Sequence, residues 1–472
     1  MADTYEYVLG VPNFANYEAA AALIRVPRGG GTVDYVTVGE DRLTRVKHTY
    51  AFPLRGIHYC LQQFGLESLR QVDYLCTDYA RVPRWMNSGP GYRKLEHDYL
   101  KLRLDFPRDR IRVLDHHDGH AGLAFYPSGF DEAAVLVVDS LGSRLNTQTL
   151  YHATPDGLRV VERGDVWGIG RLYSVVTGSV LPYGPEKGFG KTMGLAPYGR
   201  VHPGPVLEFK GRHEGMQSDY SAFCSRPPSP RIIADGVRRC TDREQVLDPY
   251  FARAAYDVQQ ECERELVRLA RYAHERTGSR RLCLSGGTAL NGLANARVIE
   301  TGLFDEVFIP PGCSDTGIAL GLALCGYFQE ISPARPSTGG ADRVRSAVSV
   351  SMRHAYTGRC YPSEDSGSLL DTWGITHRPV EPEDVAPLIA NGQVVGWYAG
   401  GSEFGPRALG HRSILADPRD PAMKDTLNHR VKFREGYRPY APSALAEHAA
   451  EWFDLRLPSP FMLQVVTVRP GS

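Results

Sequence analysis

The chain has 472 residues, a length that suits two or three domains, because single domains usually run to roughly 100–200 residues. Hydrophobic residues at 42% and charged residues at 23% are ordinary for a soluble globular protein and argue against disorder. Lys plus Arg equals Asp plus Glu at 54 each, so no overall field steers the chain to nucleic acid or to an anionic membrane, and any anion site has to be local.

The nine cysteines are dispersed, with no Cys-x-x-Cys pair, which suits the reducing cytoplasm better than a disulfide scaffold. The N-terminus, Met1 to Glu6, is acidic where a signal peptide would be basic. No apolar run approaches the roughly 20 residues of a membrane span. Neither export nor membrane insertion is expected.

The first predicted strand is Tyr7 to Val11. The next apolar run, Ile111 to Leu114, leads into Asp115-His116-His117-Asp118-Gly119-His120 and then Ala121 to Ala124, a strand-to-helix entry. In a helix, His116 and His120 lie one turn apart on one face. Two imidazoles so placed can share a metal such as Zn or Fe, with carboxylates completing the shell; an isolated pair is equally compatible with a surface cluster. Asp139 ends the strand Ala133 to Val138, and the C-terminal ends of strands are where ligands gather in α/β sheets.

The segment Gly184 to Thr192 imitates a phosphate loop, but its first glycine is one residue too early and Pro197 soon interrupts any helix, so it is not a Walker A motif. Lys187 and Lys191 in it can meet an anion or simply be solvated. Residues from Val201 to Asp248 scatter Pro and Gly among polar residues and read as an irregular insertion. An amphipathic helix then runs from Asp248 to Thr277, closed by Gly278, and feeds a strand at Leu282. The Gly286-Gly287 turn lets backbone approach phosphate at a helix start. Asp315, in the loop Pro310 to Gly317, is either a helix cap or a ligand.

Ile331 to Gly340 is rich in Pro, Gly, Ser and Thr and marks a linker. Beyond it, a strand at Val394 to Tyr398 precedes a glycine-rich turn and a basic block, Arg407, His411, Arg412, Lys432, Arg434 and Arg438. Arg forks match phosphate or carboxylate oxygens, so the block suits a polyphosphate; the bland alternative is salt bridges to Asp417, Asp420, Asp425 and Glu435. Aromatic residues are not interleaved as in single-strand nucleic-acid grooves. No internal repeat is visible in the sequence. The alternation of strands and helices argues an α/β architecture.

Together these motifs resemble the O-carbamoyltransferases of antibiotic and nodulation-factor biosynthesis. The likeness runs through Glu40 to His48, the His-His-x-x-His segment, Asp139 to Gly142, Lys191 to Gly199, Gly286 to Asn291, Gly312 to Gly317 and Glu403 to Arg419. It implies an α/β actin-like ATPase domain of duplicated, ribonuclease H-like type over residues 1–330, a linker at 331–352, and a smaller α/β adenylate-forming domain at 353–472. It also implies ATP-dependent transfer of the carbamoyl group of carbamoyl phosphate, through carbamoyladenylate, to a hydroxyl of a small natural product. His116, His120, Asp139 and Asp315 correspond to the metal ligands, with Fe as the first choice and Zn or Mn as alternatives; ATP with Mg is the co-substrate. Gly286, Gly287, Asn291, Arg407, Lys432 and Arg438 are the expected nucleotide and carbamoyl phosphate contacts, and Lys47, Lys191 and Tyr17 the candidate catalytic residues. A homodimer is left open, while membrane and nucleic-acid partners are not expected.

Three departures stand out. Tyr17-Glu18 occupies the place of the family's His-Asp, so an imidazole that could activate the acceptor is missing there. Ser143 replaces an expected glutamate. The chain stops at Ser472, where such proteins continue, so the smaller domain is expected to be incomplete. The alternatives are a non-catalytic nucleotide-binding or interaction subunit, and carbamoyl transfer to an amine or a tRNA base; neutral charge weighs against tRNA.

Overall fold

A computed structural model describes residues 4–12, 18–49, 51–78, 104–164, 167–184, 188–224, 236–242, 244–333, 348–358 and 360–471. Its first sheet is built from β1 (Tyr5–Gly10), β2 (Ala20–Pro27), β4 (Asp34–Gly39), β5 (Tyr74–Asp78) and β6 (Ile111–Leu114), with the two-residue β3 (Gly31–Thr32) lying outside it. The second comprises β7 (Ala133–Val138), β8 (Gln148–Thr154), β9 (Gly157–Arg163), β12 (Arg281–Ser285) and β13 (Glu306–Phe308), with a small hairpin, β10 (Arg212–Glu214) and β11 (Gln217–Asp219), inserted between its third and fourth strands.

The strand orders are β4-β2-β1-β5-β6 and β13-β12-β7-β8-β9. In both sheets the first strand is central. The next two run antiparallel on one side of it, and the last two run parallel on the other. The same topology built twice is the duplicated ribonuclease H-like, actin-like architecture. The repeat lies in strand order, and the sequence does not display it.

Burial follows the pattern of residues. All six residues of β7 are buried, as a strand covered on both faces requires. The helix Pro249–Thr277 is capped by Asp248, whose side chain accepts from Tyr250 N, and it ends at Gly278 with φ 70°. Its apolar stripe, Val258, Cys262, Leu266 and Leu269, packs with Leu136, Leu282 and Leu284. The helices His116–Phe125 and Ile318–Cys325 touch backbone to backbone: a Cβ on Gly321 would fall 1.9 Å from Gly119 O. Small residues there bring the histidine helix against the one that follows Asp315.

From β14 (Val348–Ser349), which pairs with β3, the chain packs on the first module, burying Val350 and Met352 in its core. The C-terminal module contains helices Ser363–Thr372 and Pro382–Ala390 and the hairpin of β15 (Val395–Tyr398) and β16 (Arg412–Leu415). It is anchored through Phe404, Tyr437, Phe461 and Leu463, each buried within clusters of the first module. Burying a Phe side chain contributes roughly 1.5–3 kcal/mol. All nine cysteines are free, eight of them buried, and among the described residues no helix is long and apolar enough to cross a membrane.

Candidate metal centre and cationic cleft

The histidine helix begins at a sharp N-terminus. Asp115 caps it by accepting from His117 N at 2.9 Å, and is itself held by Arg144 Nε at 2.6 Å. Ser143, in the place of the expected glutamate, accepts from His116 N at 3.1 Å through its hydroxyl. His116 and His120 then project from one face, their ring centroids 4.9 Å apart. His117 points elsewhere: its Nδ1 lies 2.8 Å from Thr149 Oγ1, and burial pushes its pKa down to about 3. It stays a neutral structural residue.

Asp139, at the end of β7, and Asp315, in the turn Asp315–Gly317, complete the cluster. His116 Nε2 lies 3.4 Å from Asp139 Oδ2 and 3.3 Å from Asp315 Oδ1; His120 Nε2 lies 3.9 and 3.4 Å from the same atoms. The four ligating atoms are all within 4.8 Å of one another. Ligands about 2.1 Å from one ion stand about 3–4 Å apart, so this spacing fits a single metal. His120 Nε2 is buried without a hydrogen-bond partner among the described residues, an orphan that a metal would satisfy. Ser314 occupies the cap position of the turn, and Asp315 faces the imidazoles.

Three of the four residues are oriented from behind, as metal ligands commonly are. His116 Nδ1 meets Asp78 Oδ2 at 2.8 Å, His120 Nδ1 lies 3.4 Å from Ser285 Oγ, and Asp139 Oδ1 accepts from Gly287 N at 3.1 Å. Gly286 has φ 90° and donates its N–H to Cys313 O at 2.8 Å. The Gly-Gly turn therefore braces Asp139 and the loop that leads to Asp315. Asp78→Asn should keep the fold and weaken metal binding about 10–100-fold, which a competitive titration with a chromogenic chelator would measure.

The remaining site residues fall into two places. Asn291 is buried, caps the helix Gly292–Glu300 by accepting from Ala294 N at 3.1 Å, and exchanges hydrogen bonds with Gln259. Arg407 reaches across from the C-terminal module and donates to Leu290 O at 2.6 Å. Burial pushes its pKa down, and among the described residues it has no carboxylate partner. Glu403 builds the loop that carries it: one carboxylate oxygen accepts from Leu409 N, Arg412 N and His411 N at 2.7–2.9 Å.

The second place is a cavity of about 360 Å³ lined by Lys191, Phe433, Arg434, Glu435 and Arg438. Lys191 of the first module donates to Glu435 Oε1 at 2.7 Å, and Arg438 stands 3.9 Å from the other oxygen. Lys432 is lowered in pKa by burial first, then by the charges of Arg434, Lys47, Arg438 and Arg412. Lys191 from one module thus meets Glu435 and Arg438 from the other, and the charge of Lys47 acts on Lys432. Glu435 neutralises part of this charge, so the salt-bridge reading of the basic block holds for that one carboxylate. Tyr17 and Lys187 lie outside the described residues.

Asp78, Glu18 and Glu403 were not singled out as site residues from sequence. Asp78 carried a usable signal, an acid closing an apolar strand as Asp139 does. Glu18 accepts from Ser314 Oγ and Thr316 N, both at 3.0 Å.

Residues 91–221 and 234–324 match the carbamoyltransferase N-terminus family, and residues 386–472 the carbamoyltransferase C-terminus family. The chain is 33% identical to nodulation protein NolNO of Sinorhizobium fredii over 494 residues, covering 99% of this chain and 68% of the relative. It is 32% identical over 511 residues to the uncharacterized protein sll1178 of Synechocystis, covering 98% and 79%. Among solved structures, (R)-2-hydroxyglutaryl-CoA dehydratase component A of Acidaminococcus fermentans gives a TM-score of 0.36 at 14% identity, covering 68% of this chain and 96% of that one; at that score the likeness carries no argument. Family matches in both modules and relatives aligned over nearly the whole chain establish that the chain belongs to the carbamoyltransferase family.

Proposed function

We propose that the chain transfers the carbamoyl group of carbamoyl phosphate, by way of carbamoyladenylate formed with ATP, to a hydroxyl of a small natural product. The observation that carries this reading is the junction itself. A buried two-histidine, two-carboxylate cluster in the first module lies behind a contact surface where Arg407 enters unpaired with any described carboxylate, and Lys191 of the first module joins Arg434 and Arg438 of the other around one cavity, beside Lys432.

Lys432, Arg438 and Lys47 would bind the phosphates, since the like charges around Lys432 that help lower its pKa are relieved by an anion. Arg407 would supply a preformed fork for charge developing on a leaving phosphate. His116, His120, Asp139 and Asp315 would hold a divalent ion, Fe first and Zn or Mn on the same donor set. When bound, that ion supplies Lewis-acid polarisation of a phosphate or carbamoyl oxygen. Forming an adenylate puts AMP on the carbamoyl carbon, and AMP leaves as a stabilised phosphate monoester.

The test is a coupled product assay: metal-loaded chain, carbamoyl phosphate, Mg-ATP and a panel of hydroxyl-bearing acceptors. AMP should appear in step with carbamoylated acceptor. ATP binding without AMP across such a panel would favour a non-catalytic nucleotide-binding role.

A further inference from the structure

The turn from Lys432 to Arg438 is braced from inside by Asn428, which is fully buried. Asn428 Oδ1 accepts from Arg434 Nε at 2.7 Å, its Nδ2 donates to Gly436 O and Arg438 O at 3.2 and 3.1 Å, and its backbone oxygen accepts from Arg434 N at 3.0 Å. Lys432 N is tied to Leu427 O at 2.8 Å. Caught between these two fixed neighbours, Phe433 takes a left-handed φ of 48°. Few non-glycine residues adopt that conformation, and it persists where the surroundings over-determine it, often at functional sites. The brace leaves Phe433 83% exposed, on the wall of the cavity of about 360 Å³ that it shares with Lys191, Arg434, Glu435 and Arg438. Arg434 belongs to the scaffold, since its guanidinium also donates to Pro439 O at 3.1 Å and lies over the Tyr440 ring at 4.5 Å. The cavity therefore offers an open aromatic ring beside cations. Its size falls among small-molecule sites, which run to about 300–1,000 Å³.

We propose that Phe433 is the platform on which the base of ATP stacks, with the phosphates running toward Lys191, Lys432 and Arg438. This rests on the ATP-dependent reading above and names the residue that tells a nucleotide from a bare polyphosphate. Cations draw in any polyphosphate. A phenylalanine has no polar atom, so it binds only through its ring face and edge, and the ligand that suits it here is flat at one end and anionic at the other. A nucleoside phosphate has that form. Every base has a face that can stack on an aromatic ring, so the contact needs no hydrogen-bond pattern.

Calorimetric titration of the full chain with Mg-ATP and with Mg-tripolyphosphate separates stacking from charge. Phe433→Ala should bind ATP about 5–150-fold more weakly than wild type and bind tripolyphosphate as wild type does, while Phe433→Tyr keeps wild-type affinity for both. In Phe433→Trp, the fluorescence added by the new indole should be quenched by ATP and left unchanged by tripolyphosphate. Unchanged ATP affinity in Phe433→Ala would overturn the assignment. So would an equal loss of ATP and tripolyphosphate, which would mark Phe433 as part of the turn alone, and so would a wild-type chain that binds the two ligands equally. A chain that binds ATP through Phe433 and makes no carbamoyladenylate would contradict the transfer reading while this assignment stood.

Discussion

Replacing His120 with alanine is expected to empty the chain of tightly bound metal and to lower carbamoyl transfer by about 10³-fold or more. Lewis-acid stabilisation is worth several kcal/mol, and each 1.4 kcal/mol or so is tenfold in rate. His120 is fully buried, and its Nε2 faces both carboxylates of the cluster at 3.9 and 3.4 Å. Without it, Asp139 and Asp315 confront each other with His116 alone between them. Elemental analysis of purified protein, beside the product assay, reads both effects. A variant that kept one equivalent of metal and normal transfer would show that His120 is not a ligand.

The largest effect on folding is expected from Gly286→Ala. The backbone there has φ 90°, and a Cβ would fall 2.3 Å from Val138 O, a backbone atom of the central strand β7. The strained conformation costs about 1–3 kcal/mol and the forced displacement about as much again, a large part of the roughly 5–15 kcal/mol that holds a domain folded. Any shift would also pull Gly287 N from Asp139 Oδ1. Gly287→Ala is the matched control: its Cβ would meet only Asp139 Oδ1, at 3.1 Å, so it should disturb the metal site while sparing the fold. Urea denaturation curves for the two variants, with metal content measured alongside, distinguish them.

These two residues also show what the sequence could and could not convey. The strand Ala133–Val138 and the helix ending at Gly278 were legible to within a residue or so, because an unbroken apolar run and a capped amphipathic stripe are local signals. The His116–His120 pair was legible for the same reason, as was Asp139 at a strand end. Asp315 was not decidable locally, since a cap and a ligand look alike in sequence. What brings it to the imidazoles is the close approach of two helices across Gly119 and Gly321, a tertiary event. Asn291 and Gly287, whose residue types suit a nucleotide, make tertiary hydrogen bonds that no local pattern displays, to a helix N-terminus and to Asp139. The duplicated sheet, expected from the family resemblance, leaves no repeat in the residues themselves, because topology rather than residue identity is what repeats.

The most direct test of the central claim is mass spectrometry of a reaction quenched before any acceptor is added. Metal-loaded chain given carbon-13 carbamoyl phosphate and Mg-ATP in water should accumulate labelled carbamoyladenylate with release of both inorganic phosphate, from carbamoyl phosphate, and pyrophosphate, from ATP, and the label should move to the acceptor, with AMP, when a suitable hydroxyl compound is supplied. Labelled carbamoyl phosphate recovered intact, with ATP bound but unconverted, would contradict it.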